Sequence, residues 1–322
     1  MSSVPRSGNA GRAITHEIQV KTPYRLDLTV SALRRTATNL VDVYTTDGRY
    51  LRALGGFDEP LVVSVRQPNA NLLSVSVFGS AGDAKRALVV VRQMLGTDRD
   101  LSIFHRNARA ARWLAPLARR MRGLKPPRYP GLFEACANAI LFQQVSLHAA
   151  SAIMRRLVLA LGTKVVHDGV PLAVFPSVKE FLGAEDAVIR AAGLSAARLA
   201  TLRRTGEAIA SGAITEVMLE ERSSTDAALL LRGIKGIGPW TAAVILLRGL
   251  GRLDVFPSND SGVQATLRRV ADQCLNPSSV VEALGSQRGM LYFFLLLARL
   301  EAHALERPAR HLSEPINRGG GH

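Results

Sequence analysis

The chain has 322 residues, 47% of them hydrophobic, a length and composition that exclude a disordered polymer and suit two or three domains with a sizeable core. Lys and Arg number 41 against 26 Asp and Glu, and the resulting charge of +15 favours a polyanionic partner, nucleic acid first, through steering and counterion release. Two cysteines, Cys136 and Cys274, are too few for a disulfide framework, a four-cysteine zinc site or an iron–sulfur cluster, and the longest apolar run, Met290 to Ala298, is far short of the ~20 residues of a membrane span. A soluble cytoplasmic protein with buried thiols, no metal and no cofactor is expected.

Residues 1–13 are small, polar and glycine-containing, and are read as a disordered tail. Over 14–97 the segments HEIQVK, LVDVYTT, RYLRAL, LVVSVRQ and LLSVSVF alternate and are rich in β-branched residues. Asp47-Gly48 supplies a hairpin turn and Ala84 to Leu95 a helical pattern, so this region predicts a small α+β domain with an antiparallel sheet, in which no chemistry is identified. From 98 to 308 the texture is helical, punctuated at Gly123 to Pro130, Gly162, Gly183, Gly193 and Gly212. Arg106 to Arg122 carries six arginines and no acid, either a solvated face or one that meets phosphates. In the long apolar stretch Leu132 to Leu161, the adjacent Gln143 and Gln144 are costly to bury, which predicts a break where the chain surfaces. Residues 309–322 read as a second disordered tail.

The central stretch is Leu231 to Leu250, LRGIKGIGPWTAAVILLRGL. Gly236 and Gly238 interrupt an apolar run that is helical on both sides, and Pro239 suits the first turn of a new helix, so a helix, a hairpin and a helix are expected over about 226–250. Ile234 and Ile237 give the hairpin an apolar underside. Free N–H groups at a helix N-terminus, unobstructed by glycine side chains, would seat a phosphate oxygen, making Gly236, Gly238 and Thr241 candidate contacts to a nucleic-acid backbone. A bare Gly-x-Gly also serves as a plain connection between packed helices. A second signal lies downstream: Asp254-Val-Phe-Pro-Ser-Asn-Asp260 delivers a carboxylate to the start of another helix, where Asp260 is either an N-cap, a role open also to Ser258, Asn259 and Ser261, or a catalytic group.

GIGPWTA followed by DVFPSND resembles the helix-hairpin-helix DNA glycosylase superfamily and, within it, the bacterial 3-methyladenine DNA glycosylase II family. Leu132 to Ser146, LFEACANAILFQQVS, is similar to that family's base-inserting region, and the resemblance covers about the last two thirds of the chain. It implies a mainly α fold, with a glycosylase core of two helical subdomains preceded by a small α+β domain. It also implies a monomeric monofunctional DNA glycosylase that flips N3- or N7-methylated purines out of damaged duplex DNA and hydrolyses their glycosidic bond, the first step of base excision repair. The missing cysteine cluster separates the chain from the endonuclease III branch.

Residue by residue, the resemblance assigns Asp260 to catalysis and Asp254 to structural support. Breaking an N-glycosidic bond builds positive charge on the sugar, which a carboxylate stabilises before water attacks. Trp240 stands where lyase-active relatives carry a lysine; an indole forms no Schiff base, so no strand cleavage is expected, and Trp240 either faces the extruded base or packs in the core. Gln144 occupies the wedge position, where the family often has an apolar residue. Two positions that can be aromatic in the family's base pocket are Val244 and Ala298 here, implying reduced stacking. With one carboxylate and no identified general acid, cationic methylpurines should leave faster than neutral hypoxanthine. A non-catalytic helix-hairpin-helix module that binds DNA structure is the alternative; a bifunctional enzyme for oxidised bases is disfavoured by Trp240 and the cysteine count.

Overall fold

The computed structural model describes residues 6–7, 13–258, 260–270 and 277–305. The N-terminal region runs through Arg6–Ser7 (β1), Ala13–Gln19 (β2), Leu26–Arg34 (α1), Asp42–Tyr44 (β3), Tyr50–Leu54 (β4), Leu61–Asn69 (β5), Leu72–Phe78 (β6) and Ala81–Leu95 (α2). β2 to β6 form an antiparallel sheet in the order β2-β6-β5-β4-β3. Alternation decides which face is buried: Leu73, Val75 and Val77 of β6 turn inward to meet Val30 and Leu33 of α1 and Val91 of α2. The Asp47-Gly48 turn closes β3 onto β4, with Gly48 at φ 81°. Helix α1 was not anticipated; Leu26, Val30 and Leu33 give it a short buried stripe within a segment whose composition does not distinguish helix from loop.

The helical region continues with Ser102–Ala110 (α3), Ala115–Arg120 (α4), Leu132–Leu141 (α5), Leu147–Leu161 (α6), then a hairpin, Lys164–His167 (β7) and Val170–Ala173 (β8). After it come Val178–Gly183 (α7), Asp186–Ala191 (α8), Ala196–Ala210 (α9), Glu216–Glu220 (α10), Ser224–Arg232 (α11), Pro239–Arg248 (α12), Ser261–Val270 (α13), Pro277–Ala283 (α14) and Met290–Leu305 (α15). The β7–β8 hairpin departs from the expected all-helical texture: Asp168 and Gly169, at φ 49° and 74°, make the two-residue turn that β-hairpins favour. Within the stretch read as an N-terminal tail, Arg6–Ser7 pairs in parallel with Val165–Val166 of β7. The remainder of that tail, the C-terminal tail, Asn259 and Cys274 lie outside the described residues. No helix among the described residues is long and apolar enough to cross a membrane.

Two helical cores result. One gathers α5, α6, α9, α11 and α12 around Ile140, Leu202 and Ile245; the other gathers α3, α4, α13 and α15 around Phe104, Leu117 and Phe294. Two buried arginines tie the N-terminal region to helices of the first core. Arg52 of β4 donates to Asp42 Oδ1 at 2.5 Å and to Glu134 Oε2 of α5 at 2.6 Å, while the Tyr50 hydroxyl donates to Asp42 at 2.7 Å. Arg248, at the end of α12, donates from Nη2 to the carbonyls of Ala32 (2.9 Å) and Leu33 (3.4 Å), capping the last turn of α1 with a positive charge.

Candidate active site

The hairpin between α11 and α12 uses its two glycines differently. Gly236 sits at φ 104°, and a β-carbon there would lie 2.1 Å from Thr201 Oγ1, so both conformation and packing demand glycine. Gly238 is extended (φ −87°, ψ 179°) as the N-cap of α12, and a β-carbon there would touch nothing in the protein. Ile234 and Ile237 are buried beneath. The N–H groups of Gly238, Trp240 and Thr241 have no acceptor among the described residues, as the first turn of a helix requires. The Thr241 side chain is buried, however, and its hydroxyl accepts from Gln143 Nε2 at 2.6 Å, so only its backbone N–H remains for a ligand.

Gln143 is the clamp of this region. Its amide also reaches the Gly236 carbonyl at 3.2 Å, and its own carbonyl accepts from Arg198 Nη2 at 2.6 Å. The chain breaks between α5 and α6 where the paired glutamines predict it, and Gln144 stands exposed beside the hairpin at φ 47°.

Asp260 is the N-cap of α13 and also lines the cleft. Its Oδ1 accepts the Val263 N–H at 2.9 Å, capping α13, and its Oδ2 accepts the Trp240 indole N–H at 3.0 Å. Both oxygens are thereby fixed in direction, while the residue remains half-buried at the edge of a cleft. Trp240 therefore faces the cleft and holds the carboxylate rather than packing wholly in the core. Asp254 uses its backbone carbonyl to accept from Arg288 Nε.

The cleft has a volume of ≈ 530 Å³, within the usual range for a site that encloses a small ligand. Hairpin, Trp240 and Asp260 line it together with Arg35, Phe142, Tyr292 and Arg299. Arg299 packs against Gly262, where a β-carbon would lie 1.9 Å from its Nη1. Arg35 follows α1 in a left-handed conformation (φ 60°), is 8% exposed, and holds its guanidinium carbon 4.0 Å from the centre of the Phe142 ring. Burial opposes its charge, but Tyr129, Tyr292 and the Asp260 carboxylate outweigh that, so its pKa stays above the ordinary arginine value. No lysine lines the cleft among the described residues; Lys235 is exposed beside the hairpin.

The aromatic inventory also differs from expectation. Val244 and Ala298 are buried in the two helical cores and do not reach the cleft, so they say nothing about stacking. The rings at the site are Phe142, Trp240 and Tyr292. Tyr292 had a signal in the sequence, a polar-tipped residue inside the apolar run MLYFFLLLA, of the same kind that singled out the glutamine pair. Arg35 had none, being one arginine of an RR pair at a helix end. Cys136 is buried in α5, its thiol pushed up to about 12 chiefly by burial, and takes no part in the cleft.

A model of the HhH-GPD superfamily base excision DNA repair proteins matches residues 137–277. The chain is 29% identical over 198 residues to a DNA-3-methyladenine glycosylase of Bacillus subtilis, covering 58% of this chain and 62% of that protein. It is 28% identical over 260 residues to a probable bifunctional transcriptional activator/DNA repair enzyme AlkA of Mycobacterium tuberculosis, covering 80% of this chain and 51% of that one. The chain thus spans between half and two thirds of the length of these curated relatives. Among solved structures, a 3-methyladenine DNA-glycosylase from Archaeoglobus fulgidus superposes with a TM-score of 0.72 at 25% identity, over 88% of this chain and 98% of that one.

Proposed function

We propose that this chain belongs to the HhH-GPD superfamily of base excision DNA repair proteins and is a monofunctional DNA glycosylase that releases N3- and N7-methylated purines from duplex DNA. The observation that carries this reading is the Asp260 carboxylate, oriented through both oxygens and open to a cleft of ≈ 530 Å³ beside a hairpin with free N–H groups. A base cannot be reached inside a duplex, so the damaged nucleotide is extruded into the cleft. The Gly238, Trp240 and Thr241 N–H groups bind a backbone phosphate, and Gln144 enters the gap left in the stack. The enzyme acts as a monomer on chromosomal DNA in the cytoplasm.

In the reaction the C1′–N9 bond breaks and its electron pair leaves with the base. Positive charge gathers on the sugar, Asp260 stabilises it, and water adds at C1′, its proton passing to solvent. A methylated purine departs from a cation as a neutral molecule and needs no general acid. With Trp240 in place of a lysine no covalent adduct forms, and an abasic site is the product. Incubation with methylated duplex DNA, followed by chromatography of the released bases, should yield 3-methyladenine and 7-methylguanine with the strand intact. Binding to abasic DNA without release of any base would instead favour a non-catalytic module.

A further inference from the structure

The break at Gln143-Gln144 and the hairpin between α11 and α12 lie far apart in sequence, yet both rest on α9. Arg198, Thr201 and Arg204 follow one another along one face of that helix. Arg198 Nη2 donates to the Gln143 carbonyl at 2.6 Å, Thr201 packs so close under Gly236 that no β-carbon fits there, and Arg204 Nε donates to the Lys235 carbonyl at 3.0 Å. A side chain then joins the two elements directly. Gln143 Nε2 donates to the Thr241 hydroxyl at 2.6 Å and to the Gly236 carbonyl at 3.2 Å.

The chemistry of that tie is specific to an amide. Its nitrogen carries two hydrogens, and the two acceptors lie on either side, in sequence, of the Gly238 and Trp240 N–H groups that would meet a phosphate. The next residue, Gln144, is exposed and sits at φ 47°, a conformation that crowds the β-carbon of any residue but glycine. The chain is held on both sides of it: before it by Gln143, and after it by Ser146, whose Oγ accepts the Ala149 N–H at 3.2 Å as it caps α6. A strained, exposed residue between two anchored ones is presented to a partner rather than packed.

Resting on the glycosylase reading above, we infer that Gln143 is a positioning residue that couples the insertion of Gln144 into the base stack to the seating of a phosphate on the hairpin. Through its two hydrogen bonds the phosphate seat and the inserted side chain keep one fixed separation along the duplex. Each contact therefore strengthens the other, and losing one forfeits part of what the other contributes.

The test is a double-mutant cycle on binding to duplex DNA with a tetrahydrofuran abasic site, read by fluorescence anisotropy at fixed salt. Gln144→Ala and Gly238→Val should each weaken binding a few-fold. The pair together should lose less than the product of the two, by roughly twofold to tenfold, the lower part of the range for residues in one hydrogen-bond network. In a Gln143→Met background, which keeps the length of the side chain and removes the amide, the two losses should multiply. A residue that only supports the fold would weaken every member of the cycle alike and leave that shortfall unchanged. Losses that multiply in the wild-type background, a shortfall that survives Gln143→Met because α9 alone carries it, or a single variant that binds like wild type each overturns the inference. If thermal melting shows that Gln143→Met does not fold, Thr241→Val, which removes the nearer acceptor at almost constant volume, replaces it, and an undiminished shortfall there is equally fatal. The glycosylase reading is checked separately by release of 3-methyladenine from the wild-type chain: no release with the coupling intact overturns that reading alone.

Discussion

Two groups of residues line the cleft, and each forms a wall built on a different principle. The wall of hairpin, Trp240 and Asp260 is local in the chain: a glycine turn, a proline that starts α12, and a carboxylate twenty residues beyond Trp240 that caps α13. The other wall is assembled across the whole length, from Arg35 after α1, Phe142 after α5 and Tyr292 in α15. Its placement depends on long-range ties, above all Arg248 on the end of α1 and Arg52 between Asp42 and Glu134. On the glycosylase reading, the local wall would carry the charge that opposes the sugar cation, while the assembled wall would contact what occupies the cleft. Reaction type and substrate range are therefore separable, and variants on each wall should fail in different ways.

The largest effect should come from the local wall. Asp260→Asn keeps the shape and removes the charge, though its single amide oxygen can accept from only one of Val263 N–H and Trp240 Nε1–H, so single-turnover base release should fall by about a thousandfold or more while binding to abasic-site DNA changes only a few-fold. Turnover close to wild type would show that another group stabilises the sugar.

On the assembled wall the next largest effect should be structural. Arg52→Met leaves Asp42 and Glu134 buried without their shared cation, and chemical denaturation should show a loss of about 3–5 kcal/mol at neutral pH. Burial already raises the Glu134 carboxyl above its ordinary value despite Arg52. The folded state therefore binds this proton more tightly than the unfolded one, and its contribution is present at low pH and lost as pH rises through the folded pKa. Without Arg52 the shift grows, so the stability gap between variant and wild type should narrow on acidification from pH 7 towards 5. A gap independent of pH would place the damage elsewhere.

Trp240 lies where the chemistry is local but the support is not. Trp240→Phe keeps a ring at the cleft and removes the N–H that fixes Asp260 Oδ2, so kcat should drop on the order of tenfold with little change in DNA affinity. Neither this variant nor the wild type should give a covalent adduct with lesion DNA under borohydride. A trapped adduct would reveal an amine that lines the cleft in some other state.

The same division explains what the sequence revealed. The turn at Gly236 and Gly238, the start of α12 at Pro239 and the arrival of Asp260 at the start of α13 were legible because they follow from spacing along the chain, as was the break at Gln143-Gln144, where an apolar run turns polar. The sheet was legible from alternation. Helix α1, the β7–β8 hairpin and Arg35 were not: the first is short, and its Leu26, Leu28 and Val30 also fit a strand's alternation, and the second hides its Asp168-Gly169 turn among short apolar runs. Arg35 owes its place to an arginine 213 positions later in sequence, a dependence that no local pattern encodes. The sequence left Asp260 between cap and catalysis; the structure shows the cap through Oδ1 and leaves the second oxygen held by Trp240.

The smallest predicted effect is also the sharpest test of the hairpin. Gly236 is explained from within, since its positive φ and the approach of Thr201 leave no room for a side chain, so Gly236→Ala should destabilise the fold and lose binding only as a consequence. Gly238 has no such internal reason: its extended backbone suits a β-branched residue, and its absent β-carbon faces open space. If a phosphate approaches there, Gly238→Val should leave the melting temperature unchanged yet weaken binding a few-fold on every duplex regardless of sequence, and the slope of log K against log salt should shrink by about 0.9 for one lost phosphate contact. Fluorescence anisotropy across a salt series on two unrelated duplexes measures both quantities. Unchanged affinity at matched salt would mean that the hairpin merely connects α11 to α12, and that the DNA backbone is held elsewhere, with the six arginines of 106–122 the next place to look.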